Sequence, residues 1–338
     1  MRNIQSKIRV HYFFRRPRDG KNFSIERLFE TVISELPPSI EPVILVCPWH
    51  SSGVFRRFAL AVWAAMNQGD VNHVTGDVDF LVMLMRKRRT VLTIHDCASL
   101  NRLSGLKRRL YSFFWIRLPI ARSGEITTIS DFTKRQLENE LGRSAGIRVI
   151  ANCTTIRSRE TEFSRADIKN SSFRILQVGT AINKNLINLI RASYKLAVRL
   201  VIIGPLSDEH RAELDLHRCD YENYQNLPPE RLVEEYEKSD VVTFVSTYEG
   251  FGLPILEAQA IGRPVVTSNL EPMRTIAGAG GILVDPHNPL ELADVIVLLR
   301  DDVEFRNLAI TNGYRNVAKY TPERIARQYA ELYENLSE

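Results

Sequence analysis

The chain has 338 residues, 44% of them hydrophobic and 25% charged, the profile of an ordinary folded protein and not of a disordered one, at a length that favours two domains over one. The net charge of +5 is uneven: residues 1 to 170 carry 28 Lys+Arg against 16 Asp+Glu, and residues 171 to 338 carry 17 against 24. A first half at +12 beside a second at −7 directs the first half toward something anionic, such as a phosphorylated substrate, a lipid surface or nucleic acid.

In chain order, MRNIQSKIRVHYFFRRPRDG carries charge throughout and lacks a signal-peptide core, while its IRVHYFF (8 to 14) reads as a first strand. The segment RRPRDGKNFSIERLF (15 to 29) brings five basic residues and Gly20 to the start of a helix, either an anion site or a solvated loop. PVILVC (42 to 47) is a second strand, and FALAVWAAM (58 to 66), about half a membrane span, reads as a buried helix. TVLTI (90 to 94), EITTIS (125 to 130) and RVIAN (148 to 152) complete the first set of strands. His95 and Asp96 follow one of these at the rim, where a lone histidine is either functional or structural, and Ser130 ends another in a position that suits a helix cap. LKRRLYSFFWIRLPIARS (106 to 123) interleaves Lys107, Arg108, Arg109, Arg117 and Arg122 with Tyr111, Phe113, Phe114 and Trp115. That pattern fits an interfacial helix on anionic lipid, or equally a core helix with a basic outer face.

TTIRSRETEFSRADIKNSS (154 to 172) is polar enough for an interdomain linker. A second set of strands follows: FRILQVG (173 to 179), RLVIIG (199 to 204), DVVTFV (240 to 245), RPVVTS (263 to 268) and GILVD (281 to 285). Continuous apolar strands spaced by helices mark parallel sheets covered on both faces, so the expected fold is α/β with two doubly wound, Rossmann-like domains. The expected boundaries are 1 to 160, 171 to 320, and a closing helix within 321 to 338. That helix has Thr321 as N-cap, Pro322 in its first turn, and Ile325, Tyr329, Leu332 and Tyr333 on the face that docks, with packing expected back toward the N-terminal domain. The four cysteines, Cys47, Cys97, Cys153 and Cys219, have no CxxC or zinc spacing, as in a reduced, metal-free cytosolic protein.

STYEGFGLPILEAQA (246 to 260) carries the densest chemistry. Its strand feeds into Glu249 at the rim where open α/β sheets bind ligands, and the glycines around Phe251 precede Pro254, a residue favoured in a helix's first turn. The amides of Phe251, Gly252 and Leu253 then face a phosphate-sized anion, while Glu249 and Glu257, one helical turn in, can accept from vicinal hydroxyls. Carboxylates for hydroxyls beside amides for phosphate describe a nucleotide sugar; the bland account has both glutamates merely complementing the helix dipole. VGTAINKNLINLIRA (178 to 192) delivers Lys184 to another rim at a helix start, where a cation opposes the dipole unless an anion compensates it.

These residues resemble the family-4, GT-B-fold retaining glycosyltransferases, of the kind that build bacterial surface polysaccharide. The resemblance rests on EGFGLPILEA with Glu249 and Glu257, on GTAINKN with Lys184, and on SNLEPMRTIAGAGGILVDP (268 to 286), supported by TIHD, TTIS and VIANC in the first half. It implies a donor nucleotide sugar on the C-terminal domain, an acceptor on the N-terminal one, and reaction in a cleft between them. Glu257 is then expected on the ribose hydroxyls, Glu249 on the transferred sugar, and Lys184 on the leaving diphosphate, with His95 a further sugar contact. Gly20, Lys21, Asp96, Ser130, Thr180, Asn183, Phe251, Gly252 and Leu253 complete the expected substrate-binding set. The family needs no metal, since lysine and helix ends stabilise the leaving group, so no cofactor is expected. It uses front-face attack, with the departing phosphate helping to take the acceptor proton.

Three departures matter. Thr180 stands where the family often has a second phosphate cation, a role that Arg15, Arg16, Arg18 or Lys21 could fill. Arg274 and Thr275 follow Pro272 and Met273 where a glutamate is usual, and the N-terminal glycine pair is reduced to Gly20. The expected partners are a nucleotide sugar, a glycan or polyprenyl-diphosphate-linked acceptor, and an anionic membrane surface at the cytoplasmic face; no nucleic acid is expected. The sequence leaves open a nucleotide-sugar epimerase of the same fold and a non-catalytic two-lobed sugar-binding protein. A nicotinamide-dependent dehydrogenase is disfavoured, because no GxGxxG follows a first strand.

Overall fold

A computed structural model describes residues 7–17, 24–156 and 172–337. Contacts divide the chain into two units, Met1–Cys153 with Thr321–Glu338, and Thr154–Tyr320.

The first unit holds a parallel sheet of β1 (Ile8–Phe14), β2 (Ile40–Val46), β3 (Val71–Val74), β4 (Thr90–Ile94), β5 (Glu125–Thr128) and β6 (Arg148–Val149), in the order β2-β1-β3-β4-β5-β6. Successive side chains of a strand point to opposite faces, so Phe13 packs with Val74, Leu92 and Ile126 on one face. Val10, Tyr12 and Phe14 pack on the other with Phe29, Val91 and the closing helix Pro322–Ser337. That helix buries Ile325, Tyr329, Leu332 and Tyr333, and Thr321 Oγ1 accepts from the Arg324 amide (3.4 Å).

The second unit repeats the architecture with β7 (Phe173–Val178), β8 (Val198–Ile203), β9 (Asp220–Tyr224), β10 (Val241–Phe244), β11 (Val265–Ser268) and β12 (Gly281–Val284), in the order β12-β11-β10-β7-β8-β9. All pairings are parallel, and the order is that of a doubly wound Rossmann-like sheet with its switch point between β7 and β10. Where the chain enters and leaves this unit, the Thr154 amide donates to the Tyr320 carbonyl (3.0 Å). The expected linker begins inside the unit, with Ile156 packed against Leu176 and Phe244; its residues 157–171 lie outside the described residues.

Two strands were not expected from the sequence. β3 reads VNHV, and its Asn72 and His73 are fully buried, which the chain tolerates only because each is hydrogen-bonded. Asn72 accepts from the Gly69 amide (3.0 Å); His73 bonds Tyr333 Oη through Nδ1 and Thr93 Oγ1 through Nε2, both at 2.7 Å. β9 reads DYENY and is an edge strand held by ion pairs: Arg199 to Asp220 (2.9 Å), and Arg174 to Glu222 (2.9 Å) and to the buried Glu235 (3.2 Å).

The segment FALAVWAAM is helical, within Val54–Met66, but it is not buried. Leu60, Ala61 and Ala64 are buried and Trp63 packs against Phe13, but Val54, Phe55, Phe58, Val62 and Met66 are exposed. The uniform apolarity that suggested a fully buried helix thus divides between a side that packs on the core and an apolar outer face. No helix among the described residues is long and apolar enough to cross a membrane.

Candidate functional site

The second unit gathers its polar groups at the C-terminal rim of β7 and β10, the strands flanking the switch point. β7 is followed by Gly179, whose φ of +91° is left-handed and whose missing Cβ leaves room for the Lys184 stem, which would stand 3.1 to 3.4 Å from it. The turn Ile182–Lys184 brings the Lys184 ammonium 2.6 Å from Glu249 Oε1 and 4.5 Å from the centre of the Phe244 ring. Asn183 fixes the loop after β10 by donating to the Tyr248 carbonyl (2.9 Å) and to Glu249 Oε1 (3.2 Å), while the Thr247 amide donates to the Asn183 carbonyl (2.8 Å). Asn185, also left-handed, donates to the carbonyls of Val245 (3.1 Å) and Pro286 (2.6 Å), which ties this loop to two others.

Gly252 opens the helix Leu253–Ile261 with φ +116° and supplies no side-chain cap to its positive end. Phe251 is buried and packs edge-to-face with Tyr320. Glu257 sits in the helix with both oxygens engaged: Oε1 accepts from Thr155 Oγ1 (3.1 Å) and Oε2 from Tyr236 Oη (2.7 Å). Each carboxylate oxygen has two lone pairs, so acceptor capacity remains. Burial, and then the neighbouring Glu257 charge, raise the Tyr236 hydroxyl well above its ordinary pKa, so it remains a donor. Thr180 turns away from this group, its hydroxyl donating to the Pro205 carbonyl (2.6 Å).

In the first unit, His95, Asp96 and Ser130 lie together beyond β4 and β5. His95 Nε2 donates to the Thr75 carbonyl (2.7 Å), which leaves Nδ1 as the ring's acceptor, and burial lowers its pKa. Asp96 Oδ1 accepts from the Ala98 amide (2.8 Å). Ser130 caps the helix Asp131–Leu141 by accepting from the Thr133 amide (3.1 Å), and Thr133 Oγ1 donates to the His95 carbonyl (3.3 Å). Arg15, after β1, is held by Glu26 (2.8 Å) and by Asp77, and Arg16 reaches the Pro48 carbonyl. Gly20, Lys21 and Arg18 lie outside the described residues.

Sequence reasoning missed the groups that hold the site residues in place. Tyr236 and Thr155 are 21 and 102 positions from Glu257, and no spacing pattern links them to it. Asp79 was also missed; burial, and then Asp77 and Asp96, push its carboxyl up to about 7. Among the described residues, no group of three or more His, Cys, Asp or Glu is placed to hold a metal ion.

Residues 158–316 match the family model described as glycosyl transferases group 1. Among curated relatives, the D-inositol 3-phosphate glycosyltransferase of Corynebacterium urealyticum is 39% identical over 111 residues, 32% of this chain and 26% of that protein. The O-antigen chain mannosyltransferase B of Escherichia coli is 32% identical over 110 residues, 32% of this chain and 29% of that protein. The chain thus spans less than a third of either relative. Among solved structures, Anabaena HepE in complex with UDP and glucose aligns with TM-score 0.77 at 16% identity, covering 97% of this chain and 100% of that one. WaaG, a glycosyltransferase involved in lipopolysaccharide biosynthesis, aligns with TM-score 0.69 at 14% identity, covering 96% and 99%. These structural likenesses establish the fold: two Rossmann-like α/β domains of the GT-B type.

Proposed function

We propose that the chain is a retaining glycosyltransferase that moves a sugar from a nucleotide-diphosphate sugar to a glycan or polyprenyl-diphosphate-linked acceptor. Its place is bacterial surface polysaccharide synthesis (O-antigen, capsule or exopolysaccharide) at the inner face of the cytoplasmic membrane. The observation that carries this reading is the meeting of Lys184, Asn183 and Glu249 beside the uncapped helix at Leu253, at the switch point and within the stretch matching glycosyl transferases group 1. The O-antigen mannosyltransferase relative and the UDP-bound structural neighbour support the acceptor class and the donor class respectively.

In this reading Glu257 accepts from the ribose hydroxyls, with Tyr236 and Thr155 holding its oxygens. The helix-end amides and Lys184 balance the charge that develops on the leaving diphosphate, so no divalent cation is required. Glu249 orients the transferred sugar, and the departing phosphate takes the acceptor proton. His95, Asp96 and Ser130 belong to the acceptor-side rim of the first unit.

The test is a thermal-shift screen of the purified protein against UDP, GDP, dTDP and CDP and their sugars, followed by product analysis with and without EDTA. The expected result is stabilisation by one nucleotide class, slow release of its sugar with the anomeric configuration retained, and insensitivity to EDTA. No shift with any nucleoside diphosphate would sink the donor site, and turnover to an epimeric sugar nucleotide without acceptor would replace transfer by epimerisation.

A further inference from the structure

The exposed face of the helix Val54–Met66 is a feature of the first unit that the proposed chemistry leaves unused. Phe55, Phe58, Val62 and Met66, three or four positions apart, form one outward stripe; Phe55 is 91% exposed, Phe58 64% and Met66 80%. The helical segment from Gly105 through Arg122 presents a second stripe in the same unit. Leu106, Leu110, Phe113 and Phe114 point outward at the same spacing, while Ser112, Ile116, Pro119 and Ile120 face inward. The two elements are joined directly: the Arg57 guanidinium lies over the Trp115 ring (5.0 Å), and that ring stacks on Tyr111 (5.4 Å).

Charge decides what such a surface is for. Neither residues 48–68 nor residues 102–123 contain an aspartate or glutamate, and together they carry Arg56, Arg57, Arg102, Lys107, Arg108, Arg109, Arg117 and Arg122. Arg108 is neutralised by Glu140 and Arg117 is held by the Glu140 carbonyl. Among the described residues, Arg56, Lys107 and Arg109 have no acidic partner within ion-pair distance. An apolar stripe flanked by basic residues, where the acid that packs against it, Glu140, is largely buried and paired with Arg108, matches an anionic bilayer surface: aromatics enter the headgroup boundary and cations meet lipid phosphates. A protein partner of the same area would be expected to meet a more mixed rim.

We infer that these two segments form a single docking platform that seats the first unit on anionic lipid, with Phe55, Phe58 and Met66 inserting and Arg56, Lys107 and Arg109 binding headgroup phosphate. The inference rests on the membrane placement within the proposed function, and it does not depend on the donor chemistry.

The test is flotation of the full chain with vesicles of phosphatidylcholine alone and with phosphatidylglycerol added, at low and high salt. The expected result is binding only with the anionic lipid, weakened by salt. Arg56→Glu, Lys107→Glu and Arg109→Glu together should lower partitioning about 100-fold or more, and Phe55→Ser with Phe58→Ser about tenfold or more. Melting temperature in both variants checks that the fold persists, and donor-induced stabilisation should be unchanged in both. No flotation at low salt, or equal flotation by wild type and variants, would overturn the platform. So would concentration-dependent self-association that the serine variant abolishes without any vesicle binding, since the face would then join two copies. Vesicle binding without any nucleotide effect would retain the platform and count against the glycosyltransferase reading alone.

Discussion

Lys184 and Glu249 are 65 positions apart in the sequence and 2.6 Å apart in space, each in the loop that follows one of the two strands flanking the switch point. The chain therefore keeps a compensated ion pair where the proposed function needs a cation for a diphosphate. An arriving anion competes with Glu249 for the ammonium, and the carboxylate is then available for hydroxyls. Lys184→Ala should lower kcat by about 100-fold or more, as for loss of one preorganised charge-stabilising donor. Glu249→Gln should hurt turnover less than Lys184→Ala, because the amide still accepts from a hydroxyl. Steady-state kinetics on both variants checks this, and equal losses would mean that the two act only as a structural pair.

Glu257 is held by Tyr236 and Thr155, so its orientation can be probed without touching it. Glu257→Ala should raise the donor KM roughly 10- to 100-fold, the range for hydrogen bonds to a charged group. Tyr236→Phe should raise it less and leave kcat near wild type, because the carboxylate keeps its charge and its Thr155 bond. A kcat collapse in Tyr236→Phe with unchanged KM would contradict the assignment of Glu257 to the ribose.

Two buried groups of the first unit should give opposite pH dependences of stability. Burial, and then the nearby His95, lower the His73 pKa from 6.5 to about 3. The unfolded chain takes up this proton first, so stability present above pH 6.5 is lost as pH falls toward 3, about 2 kcal/mol of it between pH 7 and pH 5. Asp79 runs the other way: its folded pKa is raised from 3.8 to about 7, so the stability it contributes at low pH is lost as pH rises through that window. Wild type should therefore vary little between pH 5 and pH 7 on account of this pair. Asp79→Asn should become less stable on acidification, and His73→Gln more stable. Urea unfolding of both variants at pH 5 and pH 7 reads this directly, and parallel slopes would refute it.

Gly179 offers a test of the packing beneath Lys184. Gly179→Ala meets both a left-handed backbone and the lysine stem, while Gly142→Ala, at φ +70° with open space around it, meets only the backbone cost. Gly142→Ala should cost about 1 kcal/mol of stability, and Gly179→Ala more than that. Only Gly179→Ala should also weaken nucleoside diphosphate binding in calorimetry, by about tenfold if the ammonium is displaced.

Most strands were legible because sheets covered on both faces demand continuous apolar runs, and IRVHYFF, TVLTI and FRILQV supply them. β3 was not, because Asn72 and His73 look like loop residues until partners 20 and 260 positions away, Thr93 and Tyr333, satisfy the histidine. β9 was hidden for a related reason: its stability rests on Arg174 and Arg199 in other strands. The elbow at Gly252 was legible because a glycine followed by a proline announces a helix start. The supports of Glu257 were not, since Tyr236 and Thr155 reach it only through tertiary structure. FALAVWAAM misled because apolarity alone does not say which side of a helix meets the protein.

The helix Pro322–Ser337 belongs to the first unit, although the entire second unit precedes it in the chain. During synthesis, residues 154–320 emerge as one uninterrupted unit, whereas the first unit must wait with Tyr12, His73 and Phe29 lacking Tyr329 and Tyr333 until residues 322–337 are made. The order of completion is thus the reverse of the order of emergence. The nascent first unit, with an open aromatic face, is the part of this chain most in need of protection on the ribosome.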